Sequence, residues 1–494
     1  MTDVRDLALM IRSRTPLIVV ETHDEKRVLE LVAGMAMRQG LSCHEWTAVR
    51  GLERGGLARG AMSEMPRALA PEAVLTEILR DGSHGIYVLC DFHPYLQDEP
   101  KTVRLIREIA LDYERLHCTL LFISHRMQLP PELSRLGARF ELALPDSETL
   151  MAIVREQAES WSKAHPGQRV RTDRGTLERL ISNLRGVNEA DARRLIRHAI
   201  FTDGAITESD LPAINRLKFE LIGADGILAL EYDTPTLDAV AGLGRVKRWL
   251  DKRRRALAGE GDEQDRPKGI LLLGVQGGGK SLAARCIAGE LGLPLLRLDF
   301  GALYNKFIGE TERNLRESLK QAESMAPCVL WMDEIEKGLD VRGSDNSTSK
   351  RVLGTLLTWL AENRTQVFVT ATANDIQALP PELLRKGRLD EIFFVDLPGP
   401  EARRQILEIH LRKRDCDPAS FDLDRLVEHC EGFTGAEIEQ AVVSARYAAA
   451  AGNSGMDTEA LCRAIDGTVP LSVTMAEPMA RLRAWAQERT VAAD

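Results

Sequence analysis

The sequence lacks several features that would settle its class at once. None of its eight cysteines falls in a Cys-x-x-Cys pair or at zinc-ligand spacing, so it offers neither a zinc ribbon nor a disulfide framework. Thiols scattered in this way fit buried apolar positions in a reducing compartment. No apolar run reaches the ~18 residues that a bilayer span needs. The first residues, Met1-Thr2-Asp3-Val4-Arg5-Asp6, carry acids where a secretory signal would be basic, which argues for a cytoplasmic protein. There is no basic excess: 65 Lys+Arg stand against 74 Asp+Glu, a net charge of −9, which argues against nucleic acid as the main partner. No G-x-S-x-G nucleophile elbow occurs. His44-Glu45 lacks the second histidine of a zinc protease, and the ten histidines show no metal spacing.

What is present is length and ordinary globular composition. At about 100–200 residues per domain, 494 residues allow two to four domains. A hydrophobic share of 44% and a charged share of 28% exclude disorder as the main state. Both halves alternate short apolar strands with amphipathic helices, the pattern of a parallel α/β sheet. In the second half the strands are expected over 269–273, 294–298, 328–332, 366–370 and 392–395, and after Pro398 the text turns wholly helical. The first half repeats this more faintly, with strands over 17–21, 86–90 and 119–123. Two local matches at nearly equal offset tie the halves together. Pro130-Pro131-Glu132-Leu133 parallels Pro380-Pro381-Glu382-Leu383, and Gly186-Val187-Asn188-Glu189-Ala190-Asp191 parallels Gly432-Phe433-Thr434-Gly435-Ala436-Glu437. They favour an old duplication.

The most specific motif is Gly274-Val275-Gln276-Gly277-Gly278-Gly279-Lys280-Ser281, lying between an apolar strand and a helix that continues through Leu282. Its glycines let successive N–H groups turn inward on a polyphosphate, and the helix N-terminus adds partial positive charge. Lys280 is expected to neutralise β/γ-phosphates, and Ser281 to hold Mg²⁺. Downstream, Cys328-Val329-Leu330-Trp331-Met332-Asp333-Glu334 is an apolar strand ending in two carboxylates. Asp333 can reach the Mg²⁺ shell, and Glu334 can activate the attacking water.

With these residues in view, the second half resembles the AAA+ ATPases of the main AAA clade, from about Leu237 to Ala445. Leu237-Asp238-Ala239-Val240-Ala241-Gly242-Leu243 looks like the segment that packs on adenine. Val369-Thr370-Ala371-Thr372-Ala373-Asn374 looks like the strand ending in the sensor Asn, here Asn374. Leu384-Arg385-Lys386-Gly387-Arg388-Leu389-Asp390 is similar to the arginine-finger segment. Gly435-Ala436 stands where the family's second sensor region meets nucleotide. A narrower resemblance, to uncharacterised AAA proteins encoded in algal plastid and cyanobacterial genomes, rests on Val275-Gln276-Gly277, Leu356-Leu357-Thr358-Trp359-Leu360 and Pro470-Leu471-Ser472-Val473-Thr474-Met475. It spans nearly the whole chain.

The resemblance implies that Arg385 and Arg388 reach the nucleotide of a neighbouring subunit, in a homo-oligomeric ring of six. The alternative is that both merely pair with Glu382 or Asp390. It also implies a substrate-gripping pore loop at Phe307-Ile308-Gly309 with Tyr304 nearby, against the alternative that these aromatics are core. The loop 343–348 is a candidate second pore loop. Lys252-Arg253-Arg254-Arg255 reads as a solvated helix face.

The first half has no phosphate loop. Its first strand is followed by Thr22-His23-Asp24-Glu25-Lys26-Arg27, and Phe92 stands where a water-activating acid would follow Asp91. Two acids would face the phosphates, which like-charge repulsion disfavours. The expected plan is therefore α/β. A degenerate AAA-like domain over 1–145 and its helical lid over 146–213 precede a linker over 214–236. A P-loop AAA+ parallel sheet follows over 237–398, then a helical lid and tail over 399–494. The expected function is hydrolysis of ATP, with Mg²⁺, to remodel, unfold or disassemble a protein partner. A nucleotide-dependent switch or scaffold with slow hydrolysis is the alternative, and a DNA-loading ATPase is disfavoured by charge. The client itself is not legible.

Overall fold

The computed structural model of the chain describes residues 2–54, 70–223, 226–257, 265–304, 311–339, 346–376, 378–385, 387–451 and 455–494. The chain divides into one unit of Met1–Leu150 with Val187–Arg194, and a second of Met151–Gly186 with Leu195–Asp494.

In the first unit, strands β1 (Leu17–Glu21), β2 (Ser42–Thr47), β3 (Gly51–Arg54), β4 (Gly85–Cys90), β5 (Cys118–Ser124) and β6 (Gly137–Phe140) form one sheet of order β3-β2-β4-β5-β1-β6. Only the β2–β3 pair is antiparallel. The central strands β1, β4 and β5 are near-continuous apolar runs because both faces of the sheet are covered there. Leu17 and Val19 enter one buried cluster with Tyr87 and Leu89, whereas Ile18 and Val20 enter another with Ile86 and Val88.

The second unit opens with the short parallel pair β7 (Arg171–Thr172) and β8 (Ala205–Ile206). Its main sheet comprises β9 (Leu228–Glu231), β10 (Gly269–Gly274), β11 (Leu295–Leu298), β12 (Cys328–Met332), β13 (Val367–Ala373), β14 (Glu391–Val395) and β15 (Val491–Ala492), in the order β15-β14-β10-β13-β12-β11-β9. The same alternation applies. Leu271 and Leu273 pack on one side and Ile270 and Leu272 on the other. Truncating Leu272 to Ala in such a site costs about 2–5 kcal/mol.

Strand for strand, β6-β1-β5-β4-β2 of the first unit repeats β14-β10-β13-β12-β11 of the second. Each sheet is edged by one antiparallel strand, β3 or β9. The two edge strands come from different places in the chain: β3 follows β2, whereas β9 precedes β10.

Several expectations change. The 214–236 linker is instead the end of helix Leu211–Ile222 and the edge strand β9, which pairs antiparallel with β11 from Leu228↔Leu298 to Glu231↔Leu295. Helix Arg174–Asn183, expected in the lid of the first half, groups with the second unit, as does helix Leu211–Ile222. The cause is local. Lys218 is 0% exposed, and its ammonium donates to the carbonyls of Asn183 (2.8 Å) and Arg185 (2.5 Å). Burial pulls its pKa down to about 8. A Cβ at Gly186 would come within 2.3 Å of the Ser324 carbonyl oxygen, so this turn lies directly on helix Thr311–Met325. The tail is not wholly helical either, since β15 adds to β14 through Phe393↔Val491 and Phe394↔Ala492.

The lid consists of helices Pro400–Arg412, Leu423–His429, Gly435–Ala451 and Thr458–Asp466, closed around Leu407, Leu411, Leu426, Ile438 and Leu461. Among the described residues, no helix is long and apolar enough to cross a membrane.

Candidate functional site

The phosphate loop leaves β10 at its carboxyl end, where open α/β sheets bind ligands. A Cβ at Gly274 would fall 2.0 Å from the Val395 carbonyl oxygen, so only glycine fits beside β14. Gly277 (φ 75°) and Gly279 (φ 88°) take the left-handed turns that curl the loop. Gly278 N–H donates to the Val275 carbonyl at 3.1 Å. Lys280 opens helix Lys280–Leu291 and is 6% exposed. Its ammonium folds back onto the carbonyls of Gly274 (2.9 Å) and Val275 (2.7 Å). Burial pulls its pKa down to about 8, while the charges of Glu336, Asp333 and Glu334 oppose that shift. Leu282, half-buried on the next turn, packs against the apolar cluster under the loop.

Ser281 Oγ donates to Asp333 Oδ1 at 2.9 Å. Thr372 Oγ1 donates to the same oxygen at 2.5 Å and accepts the Glu334 N–H at 2.9 Å. Glu334 is a non-glycine residue at φ 47°, a backbone state that costs energy and clusters at functional sites. Its carboxylate accepts from Asn374 Nδ2 at 2.9 Å through Oε1 and pairs with Lys337 through Oε2. Glu336 is 7% exposed. Its Oε1 accepts the Asn374 N–H at 2.9 Å, while its buried Oε2 has no partner. Burial, above all, pushes its pKa up. A hydroxyl and a carboxylate side by side at the loop's mouth are oxygen donors of the kind that Mg²⁺ takes together with substrate phosphates.

The lid meets the loop at its first turn. Ala436 N–H donates to the Gly277 carbonyl at 3.2 Å, and Gly435 lies 3.7 Å from the same oxygen, measured from an added Cβ. Thr434 and Glu437 cap this turn reciprocally: Thr434 N–H donates to Glu437 Oε2 at 2.8 Å, and Glu437 N–H to Thr434 Oγ1 at 3.3 Å. Gly242 (φ 67°) donates its N–H to Gln405 Oε1 of the lid at 3.2 Å. Leu237, Val240 and Leu243 are buried against helix Lys280–Leu291.

Arg385 and Arg388 stand at the other end of the sheet. They precede β14, whose parallel register with β10 runs from Ile270↔Glu391 to Gly274↔Val395. Lys268 Nζ, just before β10, donates to the Gly387 carbonyl at 3.2 Å. Arg385 is exposed, and Arg388 donates to the Glu382 carbonyl at 3.1 Å. Neither forms the ion pair to Glu382 or Asp390 weighed above. Asp390 accepts instead from the N–H groups of Lys268 and Gly269.

Phe307, Ile308 and Gly309 lie outside the described residues, as do 343–345 of the second candidate loop; 346–348 begin helix Asn346–Glu362. Tyr304 is half-buried, and its hydroxyl donates to the Gly338 carbonyl at 2.6 Å. In the basic run, Arg253 lies over the Trp249 ring at 4.0 Å and Arg254 pairs with Glu290 at 2.5 Å.

Three participants carry no motif. Thr372 is legible only as the residue two before Asn374, hence on the same strand face. Glu336 reads as one more acid after the pair. Helix Ala476–Ala486 follows the lid, yet Met475, Met479 and Trp485 share a cavity of about 390 Å³ with Gly274, Gln276 and Asn374. Arg483 fastens it to Asp396 at 2.7 Å.

Comparison with known proteins matches four stretches: the SpoVK-like AAA ATPase N-terminal domain over residues 3–142, the second domain of the same group over 148–225, the ATPase family associated with various cellular activities (AAA) over 270–397, and the AAA+ lid domain over 420–459. The chain is 34% identical to the uncharacterized AAA domain-containing protein ycf46 of Pyropia yezoensis, covering 98% of each chain. It is 33% identical to that of Guillardia theta, over 98% of this chain and 95% of the other. It is also 39% identical to the proteasome-activating nucleotidase of Aeropyrum pernix, over 37% of this chain and 46% of that protein.

Proposed function

The chain belongs to the AAA ATPases of the ycf46 type, and from that premise we propose that it spends ATP hydrolysis on remodelling a protein partner, working as a ring of six copies. One observation carries this reading: Lys280, Ser281, Asp333, Glu334 and Asn374 converge at the carboxyl end of a single parallel sheet.

Inward N–H groups of Gly277–Lys280 and the Lys280 ammonium receive the triphosphate, and Lys280 trades two carbonyl partners for phosphate oxygens. Ser281 and Asp333 would hold Mg²⁺, which would offset the negative charge that builds during phosphoryl transfer. Thr372 keeps Asp333 aimed at Ser281. Glu334 takes the proton of the attacking water, and Asn374 orients it. Gly242, Gly435 and Ala436 border the nucleotide where the lid meets the loop.

Arg385 and Arg388 lie at the amino-terminal side of a strand of five residues, about 3.3 Å per residue, away from their own phosphate loop. They therefore serve the nucleotide of a neighbouring copy, where guanidinium charge stabilises the transferring phosphoryl group. The likeness to a proteasome-activating nucleotidase over the ATPase region supports action on a polypeptide, and Phe307, Ile308 and Gly309 are the candidate grip. Phe307→Ala should abolish stimulation by an unfolded protein while sparing nucleotide binding. Unchanged stimulation removes the gripping role.

The second reading is a switch in which binding sets assembly and slow hydrolysis resets it. The observation in its favour is that both carboxylate oxygens of Glu334 are engaged, by Asn374 and Lys337. Turnover measured with and without an unfolded protein, together with the oligomeric mass in ATP and ADP, separates the two. A motor is stimulated by substrate, whereas a switch changes mass at unaltered slow turnover.

A further inference from the structure

In the first unit, the crevice corresponding to the nucleotide site is lined by imidazoles. His23 follows β1, Asp91 and His93 follow β4, and His125 follows β5. One ligand atom from each of Asp91, His93 and His125 lies within 4.8 Å of the others. The His93 and His125 rings meet at 88° with centroids 4.8 Å apart, and the His23 ring stacks on His125 at 6.0 Å. From these residues we propose that the crevice of the first unit is a site for one divalent transition-metal ion of the zinc class, ligated by Asp91, His93 and His125.

The hydrogen bonding around His93 suits a ligand. Ser124 is buried, and its hydroxyl donates to the Arg126 carbonyl at 3.2 Å. The same oxygen lies 2.7 Å from His93 Nδ1. In the tautomer whose Nδ1–H donates this bond, Nε2 keeps its lone pair for a metal. A partner on the far ring nitrogen is the usual way in which a metal-binding histidine is oriented. Asp91 is held at φ 50°, the left-handed region that Asp tolerates better than most residues. Glu334 takes the same backbone state at the equivalent strand end of the second unit, at φ 47°.

The acid also bears on the class of ligand, since the Asp91 carboxylate repels a triphosphate and attracts a cation. Two imidazoles with one carboxylate select zinc-class ions over Mg²⁺ or Ca²⁺, which take oxygen donors. Small side-chain rotations bring donors within 4.8 Å to the roughly 2.0–2.2 Å metal bonds that zinc forms. Three protein ligands leave a position open for water or a fourth group, and His23, whose ring stacks on His125, is one candidate. No spacing in the sequence announces this cluster, because its members come from three strand ends that only the sheet order β4-β5-β1 makes adjacent.

The test uses the untagged full-length protein, stripped of metal by a chelator and titrated with Co²⁺, whose visible bands report low-symmetry nitrogen and oxygen coordination. One Co²⁺ per chain should develop these bands, and Zn²⁺ should displace it. Asp91→Asn and His125→Gln alter exposed side chains, so the fold should be kept, and each should abolish the bands. Ser124→Ala should weaken binding about 10- to 100-fold. Lys280→Ala should leave the bands unchanged, separating this site from the ATPase crevice. Absence of bands in the parent protein, or bands that survive in the Asp91→Asn/His125→Gln double variant, overturns the proposal.

Discussion

Asn374 Nδ2 donates to Glu334 Oε1 at 2.9 Å, joining by their side chains the residues just past the carboxyl ends of two neighbouring strands, β13 and β12. The amide holds the carboxylate proposed as general base, while Lys337 holds its other oxygen. Asn374→Ala should therefore lower the hydrolysis rate by about one to two orders of magnitude, at most the low end of a general-base contribution, and leave nucleotide affinity nearly unchanged. Phosphate release and titration of a fluorescent nucleotide check the two halves. Glu334→Gln should lose at least as much turnover and keep ATP bound.

Lys280 sets a pH dependence. Its pKa of about 8 in the free protein is lowered by burial, and phosphate oxygens favour its charged form. ATP affinity should hold below about pH 8 and then weaken by up to tenfold per pH unit, with about one proton taken up per nucleotide near pH 9. Calorimetry in buffers of different ionisation heat measures that uptake. The same lysine acts on folding with the opposite sign. The unfolded lysine binds more protons between about pH 8 and its ordinary value near 10.5, so its contribution to stability rises with pH across that window.

Arg385→Ala combined with Arg388→Ala should leave ATP binding intact and abolish hydrolysis. Mixed with Lys280→Ala protein, which is inactive for a different reason, it should regain on the order of a quarter of full activity. In a heterologous ring about one interface in four then pairs an intact loop with intact arginines. Activity that stays at zero in the mixture, with mixed oligomers present, contradicts action between copies.

Legibility varied with the kind of signal. The phosphate loop, β10 and β12 read directly, because glycine spacing and unbroken apolar runs are local properties. The strand expected over 366–370 extends to Ala373, since Ala371 and Ala373 are buried on one face of a central strand although their hydrophobicity is slight. The edge strand β9 and the terminal strand β15 were hidden, being four residues and two residues long and specified by pairing partners far off in the chain. The same holds for Lys218, whose burial depends on two backbone carbonyls from the turn at Asn183 and Arg185. The bond from Thr372 to Asp333 and the imidazole cluster of the first unit are properties of neighbouring strands, and one-dimensional spacing carries no trace of either contact.

The most direct measurement is the stoichiometry of nucleotide binding, by titration calorimetry with a slowly hydrolysed ATP analogue and Mg²⁺. The parent chain should bind one nucleotide per copy at most, and Lys280→Ala should bind none, because only the second crevice has a phosphate loop. Two nucleotides per copy, or one that survives in Lys280→Ala, would contradict the account.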